Sequence, residues 1–274
     1  MRADGLMHIA RDVLRCRHLL WSLAWRDIRV RYKQSLLGIA WAVVLPVSMM
    51  VIFTFVFTRA IDARAALGVE VPYALYAFTG LVPWTFFSTS LQGCVQSLVA
   101  NRNLVTKVYF PREVFPLSCI VSALVDFGIA LAVLGVMIAY YRHGASWYGG
   151  GWARLAWMPV VIGVQIMLTA GLGLLLAMGN LFYRDVRQLF SVGIQLWMFI
   201  SAVVVPLPRD GSLLAHVLAA NPLVPLIGAY RDCLLHNRTP DMAGLAYAAA
   251  FALGTLLASG TVFRRASYRF AECI

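Results

Sequence analysis

Seven stretches of this chain, residues 34–58, 71–101, 114–141, 155–183, 188–208, 211–230 and 242–263, contain no lysine, arginine or glutamate, and only Asp126 interrupts them as an aspartate. About 20 apolar residues in a helix cross a hydrocarbon layer of about 30 Å, so every window passes on length. A backbone in lipid must satisfy its own hydrogen bonds, and an isolated window does that only as a helix. The fold class this predicts is all-α, a single polytopic membrane domain. Charged residues make up 13% of the chain, where soluble domains carry about 25%, so no second, water-soluble domain is expected.

The sixth window, GSLLAHVLAANPLVPLIGAY, differs from the others. It holds His216, Asn221, Pro222 and Pro225, and its prolines would free backbone groups that find no partner in lipid. It reads as a re-entrant segment before the last span, which leaves six crossings. With six, residues 1–36, 102–112, 184–187 and the tail from Arg264 fall on one side and hold sixteen of the 23 lysines and arginines. Positive charge collects on the cytoplasmic side, so both termini are expected in the cytoplasm and the bundle in the inner membrane. A seven-span path would move Arg264, Arg265 and Arg269 outside. The net charge of +11 is thus explained by topology, and nucleic acid is not an expected partner. Residues 1–36 carry a basic residue every few positions and no cleavable apolar core, so the first span is expected to stay in the protein.

Ahead of that span, residues 17–33 read as an amphipathic helix. Trp21, Ala24, Trp25, Ile28 and Tyr32 share one arc, while Arg26, Asp27, Arg29, Arg31 and Lys33 fill the rest and Leu23 falls on the charged side. Such a helix suits the membrane interface, with Trp21, Trp25, Arg29 and Arg31 as its anchors. The chain then divides into a cytoplasmic N-terminus (1–33), a six-span bundle (34–263) and a cytoplasmic tail (264–274).

Chemistry is nearly absent from the sequence. Neither Lys33 nor Lys107 ends a phosphate-binding loop of the G-x-x-x-x-G-K-[ST] type, and no His/Cys/Asp/Glu group has metal-ligand spacing, so neither catalysis nor a metal is expected. Five cysteines, at 16, 94, 119, 233 and 273, form no disulfide framework in this topology, and Cys94 and Cys119 read as small apolar residues in spans. Asp126 is expensive in lipid and marks either a functional site or a bond to a neighbouring helix.

Two helical faces carry more information. On the second span Thr85, Thr89, Gln92 and Gln96 recur at helical spacing, with Phe78 two turns further back; on the fifth, Gln188, Ser191 and Gln195 do the same. A glutamine facing lipid would leave its amide unsatisfied, so both stripes are expected to look inward. They serve either as a lined pathway or as hydrogen-bonding glue between helices, and the threonines can also bond back to their own helix. On the last span Ala248, Ala252, Gly254 and Ala258 suit close helix packing. The loop NRNLVTKVYFPREVFPL after the second span mixes Val105, Val108 and Tyr109 with Lys107 and Arg112, a mixture found at protein contacts and also at a membrane surface.

Six segments in order carry a family resemblance: RVRYKQSLLGIAWAVVLP, GLVPWTFF, NLVTKVYFPR, NLFYRDVR, the NP at 221 and the terminal RFAECI. Together they resemble the permease subunits of ABC exporters for O-antigen and teichoic-acid polysaccharides, over nearly the whole chain. The resemblance implies a homodimer of six-span subunits paired with cytoplasmic P-loop ATPase subunits. The partner would bind ATP and magnesium, and this chain would hold no cofactor. It implies movement of a polyprenyl-diphosphate-linked glycan out of the cytoplasm, O-antigen before teichoic acid or capsule. It also implies ATPase coupling through Lys107, Val108, Tyr109 and Arg112, with Tyr183 and Arg184 as a second contact. A small-molecule efflux permease is the alternative within transport. A membrane transferase would need paired carboxylates or a His/Asp site, and a structural scaffold gives no reason for inward polar stripes.

Overall fold

The computed structural model describes residues 16–33, 40–60, 71–107, 111–142, 152–203, 218, 220–236 and 238–267. Among these residues the chain is helical and contains no strand. In order the helices are α1 (Arg17–Lys33), α2 (Trp41–Ala60), α3 (Tyr73–Ala100), α4 (Arg102–Lys107), α5 (Val114–Arg142), α6 (Met158–Phe182), α7 (Asp185–Ile200), α8 (Leu223–Leu234) and α9 (Met242–Ser267). A short 3-10 helix, Trp152–Trp157, leads into α6. Each apolar window overlaps a helix among the described residues. Three stretches, Val114–Tyr141, Arg154–Phe182 and Met242–Ala266, are long and apolar enough to cross a membrane by length and composition.

α3 is the centre of the bundle. It packs against α2, α5, α6, α7 and α8 and buries residues along its whole length, from Tyr73 to Leu98. That position explains its serines, threonines and glutamines, which a helix surrounded by lipid would not tolerate. Its aromatic residues interlock with neighbours. Phe86 meets Phe127 of α5 with ring centroids 5.0 Å apart, and Phe87 meets Trp197 of α7 edge-on at 5.4 Å. Helix–helix hydrogen bonds come from residues outside the predicted stripes. Asn180 on α6 donates from Nδ2 to the carbonyl of Val95 at 2.7 Å, and Gln165 donates from Nε2 to that of Pro83 at 2.7 Å.

α6 and α9 approach closely at Gly171, where a Cβ would lie 2.8 Å from the backbone nitrogen of Leu256. The expected small-residue face of α9 is only half right. Ala248 and Ala252 are buried, joined by Ser259, but Ala258 is exposed and a Cβ on Gly254 would meet nothing. Packing follows 248, 252 and 259, and the glycine that permits it belongs to the partner helix.

α1 matches the predicted boundaries and keeps its tryptophans on the outside, but it has a second apolar face, centred on Leu23, that the sequence reading placed among the charges. Leu23 and Ala24 are buried, at 6% and 1% exposure, whereas Trp21 and Trp25 are 58% and 45% exposed. Leu23 joins a cluster with Leu98, Val114, Phe115, Leu181 and Phe263, against which Cys16, Leu19 and Leu20 also pack. These residues sit where α3, α5, α6 and α9 have an end. The four positions 16, 19/20, 23/24 and 27/28 follow helical periodicity, so the protein-facing stripe is one step round from the aromatic one. Trp21 and Trp25 stack on the outside, 6.5 Å apart and 14° from parallel, with the Arg29 guanidinium 5.4 Å from the Trp25 ring.

α7 and α8 are short. α7 has 16 residues and rises about 24 Å; it stops before the end of its window because Ala202 turns into the left-handed region at φ 53°, a conformation that ends helices. α8 has 12 residues, a rise of about 18 Å, less than a bilayer core. Pro222 stands at its N-cap and Pro225 in its first turn, where a missing N–H costs nothing.

Candidate functional site

The two polar stripes meet. Gln92 and Gln96 on α3 and Gln188, Ser191 and Gln195 on α7 line a single groove of about 310 Å³. All five are exposed in the isolated chain. Ser191 bonds back to the Gln188 carbonyl at 2.8 Å, while the four glutamine side chains make no hydrogen bond among the described residues. Val95, Phe190 and Ile194 supply apolar wall between them. The groove thus offers amide donors and acceptors with nothing yet bonded to them, at the end of the bundle where α3 terminates and α7 begins.

The stripe on α3 does not stay open along its full length. Thr89 is exposed and Thr85 half-buried; Thr89 donates to the Thr85 carbonyl at 2.6 Å and Thr85 to that of Val82 at 2.9 Å. These are bonds within the helix, so both threonines can sit beside the groove without needing a partner. Phe78 is fully buried and belongs to the core; two turns of helical spacing put it in line with the stripe, but α3 is enclosed on every side at that level.

Arg187 also lines the groove, a residue the sequence presents only as one more cytoplasmic charge. No ion pair or hydrogen bond holds its side chain among the described residues. Uncharged polar groups therefore line most of the groove, with a single cation at the end where α7 starts.

Asp126 proves to be partnered. Arg31 forms an ion pair with it and the Tyr32 hydroxyl donates to its other oxygen. α1 thus reaches from the ends of α6 and α9 to a point 12 residues into α5, about 18 Å along that helix. Burial, reinforced by the Asp126 carboxylate, pushes the Tyr32 hydroxyl up to about 12, so it stays a proton donor across physiological pH. At the other end of α1's charged face, Arg26 bonds Asp27 at 3.0 Å and the Asn101 side chain at 2.9 Å.

Of the expected coupling residues, Val108 and Tyr109 lie outside the described residues, and Lys107 is described only as the last residue of α4. Arg112 is half-buried; Tyr183 and Arg184, in the turn between α6 and α7, are exposed. The predicted re-entrant segment is described at residue 218 and from residue 220 onward. Its helix continues past the window's end at Tyr230 to include Arg231, a buried arginine that no sequence signal singled out. Among the described residues no group of three or more His, Cys, Asp or Glu side chains is placed to hold a metal, and Cys16, Cys94, Cys119 and Cys233 are free thiols.

Comparison with known proteins adds an independent line. A family described as ABC-2 type transporter matches residues 18–235. The O-antigen export system permease protein RfbA of Myxococcus xanthus is 31% identical, over 98% of this chain and 100% of its own length. A protein of the same name from Klebsiella pneumoniae is 27% identical over 93% of this chain and 95% of its own. The polysialic acid transport protein KpsM of Escherichia coli is 23% identical over 89% of this chain and 91% of its own.

Proposed function

The chain belongs to the ABC-2 type transporter membrane family, and from that premise we propose that it is the transmembrane subunit of an ATP-driven exporter moving a polyprenyl-diphosphate-linked polysaccharide, O-antigen first among the candidates, across the inner membrane. The observation that carries the reading is the full-length similarity to export permeases. The groove supports it independently. Sugar hydroxyls match free amide groups, and C–H faces of sugars match the intervening apolar wall, whereas a row of fixed charges would hold a sliding polymer too tightly.

In this reading the chain crosses the membrane six times, residues 211–230 enter from the outer side without crossing, and both termini face the cytoplasm. The end of the bundle that carries α1 and Arg187 is then cytoplasmic, and the Trp21–Trp25 pair faces the lipid interface. One six-helix subunit is too small to enclose a glycan, so the groove becomes a path where two copies oppose their polar faces. ATP hydrolysis belongs to a partner subunit, which docks at Val108, Tyr109 and Arg112, with Tyr183 and Arg184 alongside. A Tyr109→Ala, Arg112→Ala double variant should lose the ATPase on co-purification; full retention of the partner and of transport would rule out this contact.

The reading is tested in a deletion strain that accumulates cytoplasmic glycan. The parent gene should restore export. Thr89→Trp, which places an indole beside the groove without disturbing a buried partner, should yield a folded, ATPase-bound complex that leaves the polymer inside. Normal export through that variant would reject the groove as the path, and failure of the parent gene to restore export of any glycan would reject the substrate class in favour of a smaller cargo.

A further inference from the structure

Arg231 is the most anomalous of the described residues. It is 6% exposed, and no carboxylate pairs with it among the described residues. Burying a cation without a counter-charge is costly unless hydrogen bonds replace its water. Here Nη1 and Nη2 find them at a helix end, while Nε has no hydrogen-bond partner among the described residues. Nη1 donates to the Ala202 carbonyl at 2.8 Å and Nη2 to the Val203 carbonyl at 2.6 Å, in the turn that terminates α7. The C-terminal end of a helix carries partial negative charge, so the guanidinium meets the part of α7 that best accepts it. Asn221, just before α8, adds bonds to the Ser201 hydroxyl at 2.9 Å and the Ile200 carbonyl at 3.3 Å. On its flat side Arg231 lies 3.7 Å from the ring centre of Tyr76 on α3, a cation–π contact.

The approach of α7 to α3 at this point depends on Gly80. A Cβ there would stand 2.5 Å from the Val203 carbonyl oxygen and 2.7 Å from Arg231 Nη2. The neighbouring residue ties α8 through α6 to α3, because the Tyr230 hydroxyl donates to Gln165, whose amide bonds the Pro83 carbonyl of α3. α3 and α7 are therefore clamped together at one end, touch again through Phe87 and Trp197, and together line the glutamine-bearing groove further along.

We infer that Arg231 is a positioning residue, the pivot that holds α7 to α3 at the end opposite the groove and so fixes the spacing of Gln188, Ser191 and Gln195 from Gln92 and Gln96. A hydrophobic residue would fill this space by interdigitation; a fork of hydrogen bonds on a helix end, backed by a ring face, fixes position and direction together. The inference rests on the reading of the groove as the path, and the test separates the two.

Spin labels at positions 96 and 188, in a background without reactive native cysteines, report the groove width in the permease–ATPase complex in lipid nanodiscs. Labelled chains are diluted with unlabelled chain so that only pairs within one chain are read. The parent should give one narrow distance distribution. Arg231→Met, Tyr76→Leu and Gly80→Ala should each add a longer component. Arg231→Lys, which keeps the cation and one carbonyl bond, should fall between the parent and Arg231→Met. If Arg231→Met is not recovered as a folded complex, Tyr76→Leu and Gly80→Ala decide, since they leave the arginine in place. Distributions in these variants that superpose on the parent would overturn the pivot, whatever happens to export. A widened groove with undiminished export would keep the pivot and remove the groove from the glycan's path.

Discussion

Gln165 and Gln92 are the same residue type on adjacent helices, and their surroundings assign them opposite roles. Gln165 is buried, with both ends of its amide bonded, to Pro83 and Tyr230. Gln92 is exposed in the groove with its amide free among the described residues. Gln165→Leu would strand the Tyr230 hydroxyl in the core, a loss of about 1–3 kcal/mol. Gln92→Leu should change stability by no more than about 0.5 kcal/mol and lower export. Unfolding of the purified permease, set beside glycan export in cells, checks both; equal destabilisation by the two would make Gln92 helix glue after all. Spacing alone found the free glutamines, because a polar residue every three or four positions is visible in one dimension. It included Phe78, since a phenylalanine suits a pathway wall and a core alike. It missed Arg187, whose charge was already accounted for by topology, and it gave Asp126 no partner, because Arg31 and Tyr32 lie 95 and 94 residues away.

Among the elements, α1 was legible in extent, but only one of its two apolar faces was. Reading the wheel by its largest apolar side chains grouped Trp21, Trp25 and Tyr32 and set Leu23 among the charges. The fold buries Leu23, together with Ala24 from the edge of that arc, against the bundle and leaves the tryptophans outside. A helix at a membrane surface has two apolar environments to satisfy, protein and lipid interface, and a single hydrophobic direction cannot separate them. Consequences for mutation follow from the two faces. Leu23→Ala opens a cavity among Leu98, Val114, Phe115 and Phe263; truncations of that kind cost about 2–5 kcal/mol in well-packed cores, enough to loosen α1 from the bundle. Trypsin should then cut at Arg26 and Arg29 in the purified permease. Trp25→Ala should leave α1 docked and protected while weakening its hold on lipid. Protection of α1 in the Leu23→Ala protein would mean that the Arg31–Asp126 and Arg26–Asn101 bonds, and not the apolar cluster, hold the helix.

At the scale of the whole molecule, uncharged windows located seven of the nine described α-helices, all but α1 and α4, because lipid leaves a long apolar segment few alternatives. They did not reveal which helix is central. α3 is less apolar than α5 or α6, and only the assembled bundle explains why it can be, with five helices packed around it. Nor did they mark where α7 would stop, which depends on a left-handed alanine held by an arginine from another helix. The proposed six-span path predicts that a cysteine placed at Ser267 stays unlabelled by an impermeant thiol reagent in intact cells while one at Ser146 reacts; labelling of position 267 from outside would end that topology. The central claim, that the groove between α3 and α7 carries the glycan, is tested most directly by photocrosslinking during export. A photoreactive residue at position 92 or 195 in the permease–ATPase complex should form an adduct detected by glycan-specific antibody, dependent on ATP hydrolysis, while the same residue at Val136, an exposed position on α5, should not. Adducts absent from 92 and 195, or equally strong at 136, would contradict the account.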